Sequence, residues 1–518
     1  MYRRSLTALA LGFTLSAASC PKAPLGAGEG RWVQVESKHF ILYTDEAPED
    51  AREESRNLER LFDGLAQTGW EANGELKLRL HVVMFDNPYD FERYAKFGIG
   101  GYHVPDVLYE PWIVLPAARG DHERLETVAH ELTHYMAHAA MPRQPRWFAE
   151  GLACYFESGH VDEDRFVLGS VSEDRYRAML QVGLLRPSEL ISERATHDDI
   201  RFYSSSWLLV HYLMNNQSEA FQEYQKGLGL GLPSDQAWRR AFPGLSDAAL
   251  DREVEDYVMA GRYARFSLPF KVSAVSLHER VLSRADEHAL QAVLWLANFR
   301  ESRSQDEERA RAAVELALAL DPQHLMARTL QIDLMDDQDT ARALASAKEL
   351  VERHPQEWLP RVLLGRTAWA QQEAIPVDSP LDPGQAVAIA PWQAQSWLVL
   401  ASQQALRGKR EQAIKNSARA QTMAPADPEV LWIRLTILMR LGACDEAVKL
   451  AELLRPHLAE LDARARLEFT RIKKQCAASA SDPPGPSSNA APVHGPSCQL
   501  GSLSAAATAP SGTRPSSL

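Results

Sequence analysis

Residues 128–134 read Val-Ala-His-Glu-Leu-Thr-His, and residues 146–153 read Arg-Trp-Phe-Ala-Glu-Gly-Leu-Ala. His130 and His134 are four residues apart, so on a helix both imidazoles leave the same face, one turn from each other. That spacing suits two nitrogen ligands of one zinc ion. Glu131 stands beside them, where it can take a proton from a metal-bound water rather than ligate the metal. The first stretch therefore predicts a helix that carries a metal site.

The second stretch supplies a third ligand. Glu150 follows His134 by 16 residues and lies in an amphipathic segment, Trp147 to Phe156, that can fold back across the first helix. Two histidines and one carboxylate leave a fourth position open for water, which is the pattern of catalytic rather than structural zinc. We therefore predict a Zn²⁺ cofactor held by His130, His134 and Glu150.

These residues resemble the gluzincin metallopeptidases, especially the bacterial peptidase MA-like families, whose members carry HELTH followed by a W-x-x-EGLA stretch. The resemblance covers about Arg31 to Arg265, including the Tyr-Ser-Ser-Ser-Trp segment at 203–207. It implies that His130, His134 and Glu150 bind zinc and that Glu131 is the general base and acid. The expected fold is an α+β zincin-like peptidase domain.

The chain departs from three related groups of metallopeptidases. A metzincin would need Gly and His three and six residues after the second histidine, where this chain has Ala137 and Ala140. Aminopeptidase-type gluzincins carry a GxMEN segment about thirty residues upstream, where residues 100–103 read Gly-Gly-Tyr-His. Thermolysin-like members have an Asp four residues after the ligand Glu to orient a histidine, and Cys154 stands there instead. The substrate, and the choice between endo- and exopeptidase, stay open.

An active site of this kind also needs a donor that stabilises the tetrahedral oxyanion. Tyr203 is our candidate, because it begins a helical segment within the stretch that carries the resemblance. His197 is the alternative. Packing at a helix edge is an equally good interpretation of Tyr203.

The region from 31 to 265 mixes strands and helices. Residues 39–44, 76–84 and 112–115 have the apolar patterns of strands, and residues 49–66 have helical spacing. From residue 121 onward helices replace strands, which predicts an α+β domain.

Residues 279–475 are predicted to be helical throughout, with an internal repeat. Pro391 and Pro425 are 34 residues apart, and the pairs Leu398/Trp432, Gly408/Gly442 and Ala413/Ala447 keep the same interval. This period resembles the tetratricopeptide repeat. It predicts an all-α solenoid that binds a protein partner or the substrate, and the alternative is an irregular helical bundle. Cys444 and Cys476 flank the end of the array and could pair in an oxidising compartment.

Residues 1–20 have the pattern of a secretory signal: Arg3 and Arg4, an apolar stretch from Leu6 to Leu15, and small residues before Cys20. That apolar stretch is too short to span a bilayer, which takes ~20 residues. Cys20 resembles the lipidated cysteine of a bacterial lipobox, although Ala17 stands where the lipobox prefers Leu. We expect a protein of the bacterial cell envelope that is lipid-anchored through Cys20 and has no other membrane contact, facing the periplasm or the exterior. A soluble periplasmic protein is the alternative.

Composition narrows the remaining possibilities. The 518 residues carry a net charge of −13, which argues against nucleic-acid binding. Residues 477–518 are rich in Pro and Ser and contain no aromatic residue, which predicts a disordered tail. The leading hypothesis is an exported zinc peptidase that acts on a protein or peptide. The competing hypothesis is a scaffolding or assembly lipoprotein with an inactive metallopeptidase-like domain.

Overall fold

The structure is a computed structural model that describes most of residues 31–471 in separate stretches. They are residues 25, 31–68, 79–95, 100–116, 121–141, 144–162, 164–171, 173–192, 200–271, 274–297, 303–335, 339–425, 427–455, 458, 466 and 469–471. The predicted signal with Cys20, the candidate His197 and the predicted tail lie outside these residues. The described chain is mixed α/β in its N-terminal part and largely helical in its C-terminal part.

The N-terminal part contains all the described strands. In chain order its elements are β1 (Val33–Glu36), β2 (Phe40–Thr44), α1 (Pro48–Ala66), β3 (Leu80–Met84), α2 (Pro88–Phe91), β4 (Tyr102–Val107), β5 (Glu110–Leu115), α3 (Asp121–Ala140), α4 (Arg146–Phe156), β6 (His160–Asp162), β7 (Arg165–Leu168), α5 (Glu173–Val182), α6 (Pro187–Ile191), α7 (Ile200–Asn216), α8 (Ser218–Gly229), α9 (Ser234–Ala241), α10 (Asp247–Ala260), β8 (Phe266–Pro269) and β9 (His278–Val281). The three predicted strands and the predicted helix at 49–66 are confirmed as β2, β3, β5 and α1, although residues 76–78 of the second strand lie outside the described chain.

The strands form a six-stranded sheet in the order β4-β5-β3-β2-β1-β9 and a three-stranded sheet in the order β6-β7-β8. In the larger sheet β2, β3 and β5 run parallel, while the pairs β4/β5, β1/β2 and β1/β9 are antiparallel. Strands β8 and β9 follow Arg265, where sequence analysis placed the end of the peptidase domain. A chain cut after Arg265 would therefore lose one strand from each sheet.

Both faces of the larger sheet are buried. Val82, Ile113 and Leu115 face a core shared with α1, α3 and α4. Val83 and Trp112, their alternate neighbours along the strands, face a second core that includes the first helices of the C-terminal part. Because successive side chains of a strand point to opposite faces, the larger sheet lies between α1, α3 and α4 on one face and a core shared with the C-terminal helices on the other.

The C-terminal part consists of paired helices. In chain order they are α11 (Arg284–Leu296), α12 (Arg303–Leu320), α13 (Leu325–Asp333), α14 (Thr340–Arg353), α15 (Trp358–Ala370), a 3₁₀ helix (Pro383–Gln385), α16 (Ala386–Ile389), α17 (Ala394–Leu406), α18 (Arg410–Met423), α19 (Pro428–Arg440) and α20 (Cys444–Leu454).

The 34-residue interval of the sequence appears in the structure. Helices α17 and α19 begin 34 residues apart, as do α18 and α20. Gly408 and Gly442, at the turns within the two pairs, both have positive φ, 74° and 64°. Ala413 and Ala447 are both fully buried where the helices of each pair meet. Small residues and left-handed turns thus recur at the repeat interval because each helix pair packs in the same way. None of the described helices is long and apolar enough to cross a membrane.

Candidate metal centre

Two helices, α3 and α4, carry the candidate site. Val128, Leu132 and Met136 on α3 are at most 2% exposed and hold one face of the helix in the core. On α4, Trp147 and Phe148 are buried in the same core. The two helices pack against each other, joined by the short link from residue 141 to residue 145. This packing brings the second quoted stretch back across the first, as the sequence predicted.

His130, His134 and Glu150 meet at one point. The Nε2 atoms of the two histidines are 3.2 Å apart, and each lies 3.5 Å from Oε2 of Glu150. Donors bound at ~2.1 Å to a tetrahedral zinc ion are about 3.4 Å from one another. The three donor atoms therefore already have the spacing of a tetrahedral ligand set, and their chemistry is that of a metal site.

The three side chains are partly open to solvent. Those of His130, His134 and Glu150 are 17%, 19% and 17% exposed, respectively. A structural metal site is closed by four protein ligands, whereas a catalytic site leaves one position to water. Partial exposure of the triad is consistent with the open kind.

Glu131 is buried next to this triad. The residue is 8% exposed and accepts a hydrogen bond from the backbone of His103 in β4. Burial is the largest influence on the Glu131 carboxyl and raises its pKa, against the opposing effect of His130 and His134. A carboxyl group with a raised pKa is a better proton acceptor near neutral pH than an ordinary surface glutamate. Its position and environment suit a general base.

The ring nitrogen of His130 that faces away from the triad also has a carboxylate partner. Nδ1 of His130 lies 3.2 Å from Oε2 of Glu157, the residue that caps the C-terminus of α4. Burial by itself lowers the pKa of His130, but hydrogen bonds with Cys154, Glu150 and Glu157 outweigh it and raise the pKa. A carboxylate on the far nitrogen fixes the ring and directs Nε2 toward a metal.

Cys154 and Glu157 form, together with His130, a second group of side chains close enough to hold a metal ion. Cys154 is 1% exposed and Glu157 is 8% exposed, so this group has no access for a water ligand. Its cysteine belongs to the core, as the sequence predicted. The triad is therefore the better candidate for a metal site, and this buried group lies behind it.

Glu157 is not among the residues predicted from the sequence. The resemblance to thermolysin-like members points to the position four residues beyond Glu150, where this chain has Cys154. Glu157 is seven residues beyond Glu150, or two helical turns along the same face. That interval was a usable signal, since a carboxylate two turns away on α4 can reach the other side of the same imidazole.

Gly151 fixes how closely α4 approaches α7. A Cβ at this position would lie 2.5 Å from the carbonyl oxygen of Ser206 and 2.6 Å from Cγ2 of Val210. Only glycine allows the two helices to pack at this distance. Because Gly151 directly follows Glu150, this contact also sets the position of Glu150, the predicted third ligand.

Tyr203 lies in the first turn of α7, the helix that packs on α4. It is half-buried and packs against the main core of the N-terminal part. The packing interpretation thus has an observation behind it, and a role at the oxyanion stays a prediction.

One family bears on this region. Residues 124–233 match a family described as a protein of unknown function (DUF1570). No curated protein matches the chain. The matched span contains both histidines, Glu131, Glu150 and Glu157, together with helix α7, so the candidate metal centre lies within the part of the chain that is similar to this family.

Proposed function

We propose that this chain is an exported zinc-dependent peptidase that hydrolyses peptide bonds with a metal-activated water. One observation carries the proposal: two histidine nitrogens and a carboxylate oxygen lie 3.2 to 3.5 Å apart, with a buried glutamate next in sequence to the first histidine. This set of residues resembles that of the gluzincin metallopeptidases, which supports the proposal.

His130, His134 and Glu150 would hold the zinc ion. When bound, zinc polarises the scissile carbonyl and lowers the pKa of a coordinated water. Glu157 holds the His130 ring through Nδ1, so Nε2 stays directed at the metal position. The structure of this ligand set therefore depends on one buried hydrogen bond as well as on the three ligands.

Glu131 would move the proton. Its carboxylate takes the proton of the attacking water and returns it to the leaving amine, so it acts first as base and then as acid. Burial of the carboxyl supports this role because it raises the pKa. The Tyr203 hydroxyl is our candidate donor to the oxyanion.

The remaining features support a proposal for the location of this chain and for its partners. The signal-like residues 1–20 and the lipobox-like Cys20 favour a lipid-anchored envelope protein. Cys444 is disulfide-bonded, which favours an oxidising compartment, and Cys476, its predicted partner, lies outside the described residues. The 34-residue interval of helices α17–α20 supports tetratricopeptide-like repeats, through which we propose that a partner or substrate binds.

The test compares wild type with Glu131→Gln, which keeps the size of the side chain and removes the base. The matched control is Glu219→Gln, an exposed glutamate of α8. We expect one zinc per chain in all three proteins, measured by elemental mass spectrometry. Hydrolysis of a fluorogenic peptide library should fall at least ~100-fold in Glu131→Gln only, since general base catalysis contributes about 10²–10⁴.

Two results would contradict the proposal. The first is wild-type protein that contains no zinc after purification and reconstitution. The second is cleavage that is unchanged in Glu131→Gln. Zinc-loaded wild type that cleaves nothing would instead favour the scaffolding hypothesis, in which the helical region performs the function.

A further inference from the structure

The turn between β4 and β5 has an unusual backbone. Val107 pairs with Glu110, so Leu108 and Tyr109 form a two-residue turn. Both have positive φ, 57° and 65°. Turns of this kind normally use Asn and Gly, because other residues are strained there. A leucine and a tyrosine persist in this conformation only when something outside the turn holds them.

What holds the turn is a pocket in the helical region. The Tyr109 hydroxyl accepts a hydrogen bond from Nη1 of Arg366 at 2.9 Å and donates one to Oε1 of Glu429 at 3.2 Å. The Tyr109 carbonyl accepts a hydrogen bond from Nε2 of Gln393 at 3.3 Å. We call Arg366, Gln393 and Glu429, with the apolar residues around them, the turn pocket.

The turn pocket is built to bind this side chain. Tyr109 is 9% exposed and packs against Val362, Ala386 and Val399. Arg366 is fixed in turn by Asp333, whose Oδ1 lies 2.6 Å from its Nη2. An apolar floor with a preorganised donor and acceptor is the pattern of a specific tyrosine site. The helices of the pocket are α15, α17 and α19, with α16 between them.

The other end of the same hairpin packs on α3, the helix that carries His130, Glu131 and His134. Gly101 runs so close to α3 that a Cβ there would be 3.1 Å from Cγ2 of Thr127. The ring of His103 makes an edge contact with Tyr135 of α3, with centroids 6.1 Å apart. Between these contacts the His103 backbone donates its hydrogen bond to Glu131.

Among the described strands of the six-stranded sheet, β4 lies at the edge and pairs with β5 alone. From His103 to Val107, where the turn begins, four residues of strand span about 13 Å, and the pairing with β5 has a register shift between Val104 and Val107. An edge strand paired on one side relies on its remaining contacts to stay in place. For β4 these contacts include α3 at one end and the turn pocket at the other, while Tyr102, Val104 and Val107 pack into the second core between them.

We infer that Tyr109 is a positioning residue: its capture by the turn pocket holds β4 against α3 and thereby places the Glu131 carboxylate. The helical region is then a working part of the catalytic site, in addition to any partner that it binds. The inferred effect on β4 is argued from these contacts and does not depend on the proposed function. The effect on turnover rests on the proposed peptidase function.

The experiment uses the full chain with Tyr109→Ala, Tyr109→Phe and a control, Tyr89→Ala, which removes a tyrosine that is 74% exposed. Hydrogen exchange by mass spectrometry follows β4 and α3 separately. We expect β4 amides to exchange at least ~10-fold faster in Tyr109→Ala, with little change in α3. Tyr109→Phe keeps the packing and should lie between this variant and wild type, while the control matches wild type.

Activity and metal content give the second readout. We expect kcat to fall ~10-fold in Tyr109→Ala with zinc content unchanged, and to recover largely in Tyr109→Phe, because the ring still fills the pocket. The inference is overturned if β4 exchange is unchanged in Tyr109→Ala. It is also overturned if β4 and α3 loosen together with loss of zinc, since that result means general destabilisation. If wild type hydrolyses nothing, the proposed function fails, and the exchange data still decide the inference about β4.

Discussion

Replacing Glu157 tests the geometry of the metal centre without touching a ligand. Its Oε2 lies 3.2 Å from Nδ1 of His130, and both side chains are largely buried, at 10% and 17% exposed. The variant Glu157→Gln keeps the shape and one acceptor oxygen but removes the negative charge. Glu157→Ala removes the hydrogen bond altogether.

The expected loss follows from the kind of bond. A hydrogen bond to a charged group contributes about 1.5–3 kcal/mol and a neutral one about 0.5–1.5 kcal/mol. Removing the charge should therefore cost about 1–1.5 kcal/mol of zinc binding, which is roughly a fivefold to tenfold higher Kd. Removing the partner should cost up to ~100-fold, the upper end for carboxylates that support a metal-bound histidine.

The assay is a competitive zinc titration against a chromophoric chelator at pH 7.5, with Glu219→Gln as the matched control. The order of Kd should be wild type and control first, then Glu157→Gln, then Glu157→Ala. Circular dichroism shows whether each protein remains folded. If folded Glu157→Ala binds zinc within twofold of wild type, the hydrogen bond does not orient His130 and the reasoning is wrong.

Three further predictions concern the helices around the centre. Gly151→Ala should lower the free energy of unfolding by about 1–3 kcal/mol, because the new Cβ would lie 2.5 Å from the Ser206 carbonyl oxygen. Gly100→Ala is the control and should be nearly neutral, because the nearest atom to its new Cβ is 4.0 Å away. Equal losses of stability in urea titrations of the two variants would refute this reasoning. Burial lowers the pKa of His211 in the folded protein, so as pH falls below ~6.5 this histidine takes up a proton in the unfolded chain first. Wild type should therefore lose stability as pH falls from 7.5 to 5.5, and His211→Gln should lose less. An equal dependence of stability on pH in the two proteins would count against this prediction. Tyr203→Phe should lower kcat ~100-fold with zinc retained if the hydroxyl serves the oxyanion, whereas unchanged kcat would leave Tyr203 a packing residue.

Local periodicity explains most of what could be predicted. The two histidines are one helical turn apart, so the sequence alone places them on one face of α3. Strands β2, β3 and β5 are buried on both faces, so their apolar residues follow one another closely enough in the sequence to predict strands. Strands β1 and β9 were not predicted because each has only four residues, and β9 pairs with a distant part of the chain. Strand β4 was not predicted because Pro105 and Asp106, residue types that are depleted in strands, interrupt its pattern.

The domain boundaries show the limit of the same reasoning. Strand β9 pairs with β1, about 245 residues earlier in the sequence. Arg280 of β9 donates hydrogen bonds to Gln34 of β1 and to Asp286. No local sequence pattern predicts that two strands so far apart in the chain will pair, because the contacts that stabilise the pair exist only after folding. The predicted break at Arg265 therefore falls between strands of one assembly.

The sequence by itself determined the donor types, their helical spacing and the 34-residue interval of the C-terminal helices. The donor types are read directly from the residues, the spacing of the two histidines follows from helix geometry, and the 34-residue interval is a regularity of the sequence itself. Only the tertiary structure decided that Glu150 closes the triangle with both histidines, that Glu157 takes the far nitrogen of His130, and that Tyr109 is bound by Arg366 and Glu429. These contacts join residues 16 to 320 positions apart. Their distances depend on how helices and sheets pack, which no single stretch of sequence encodes.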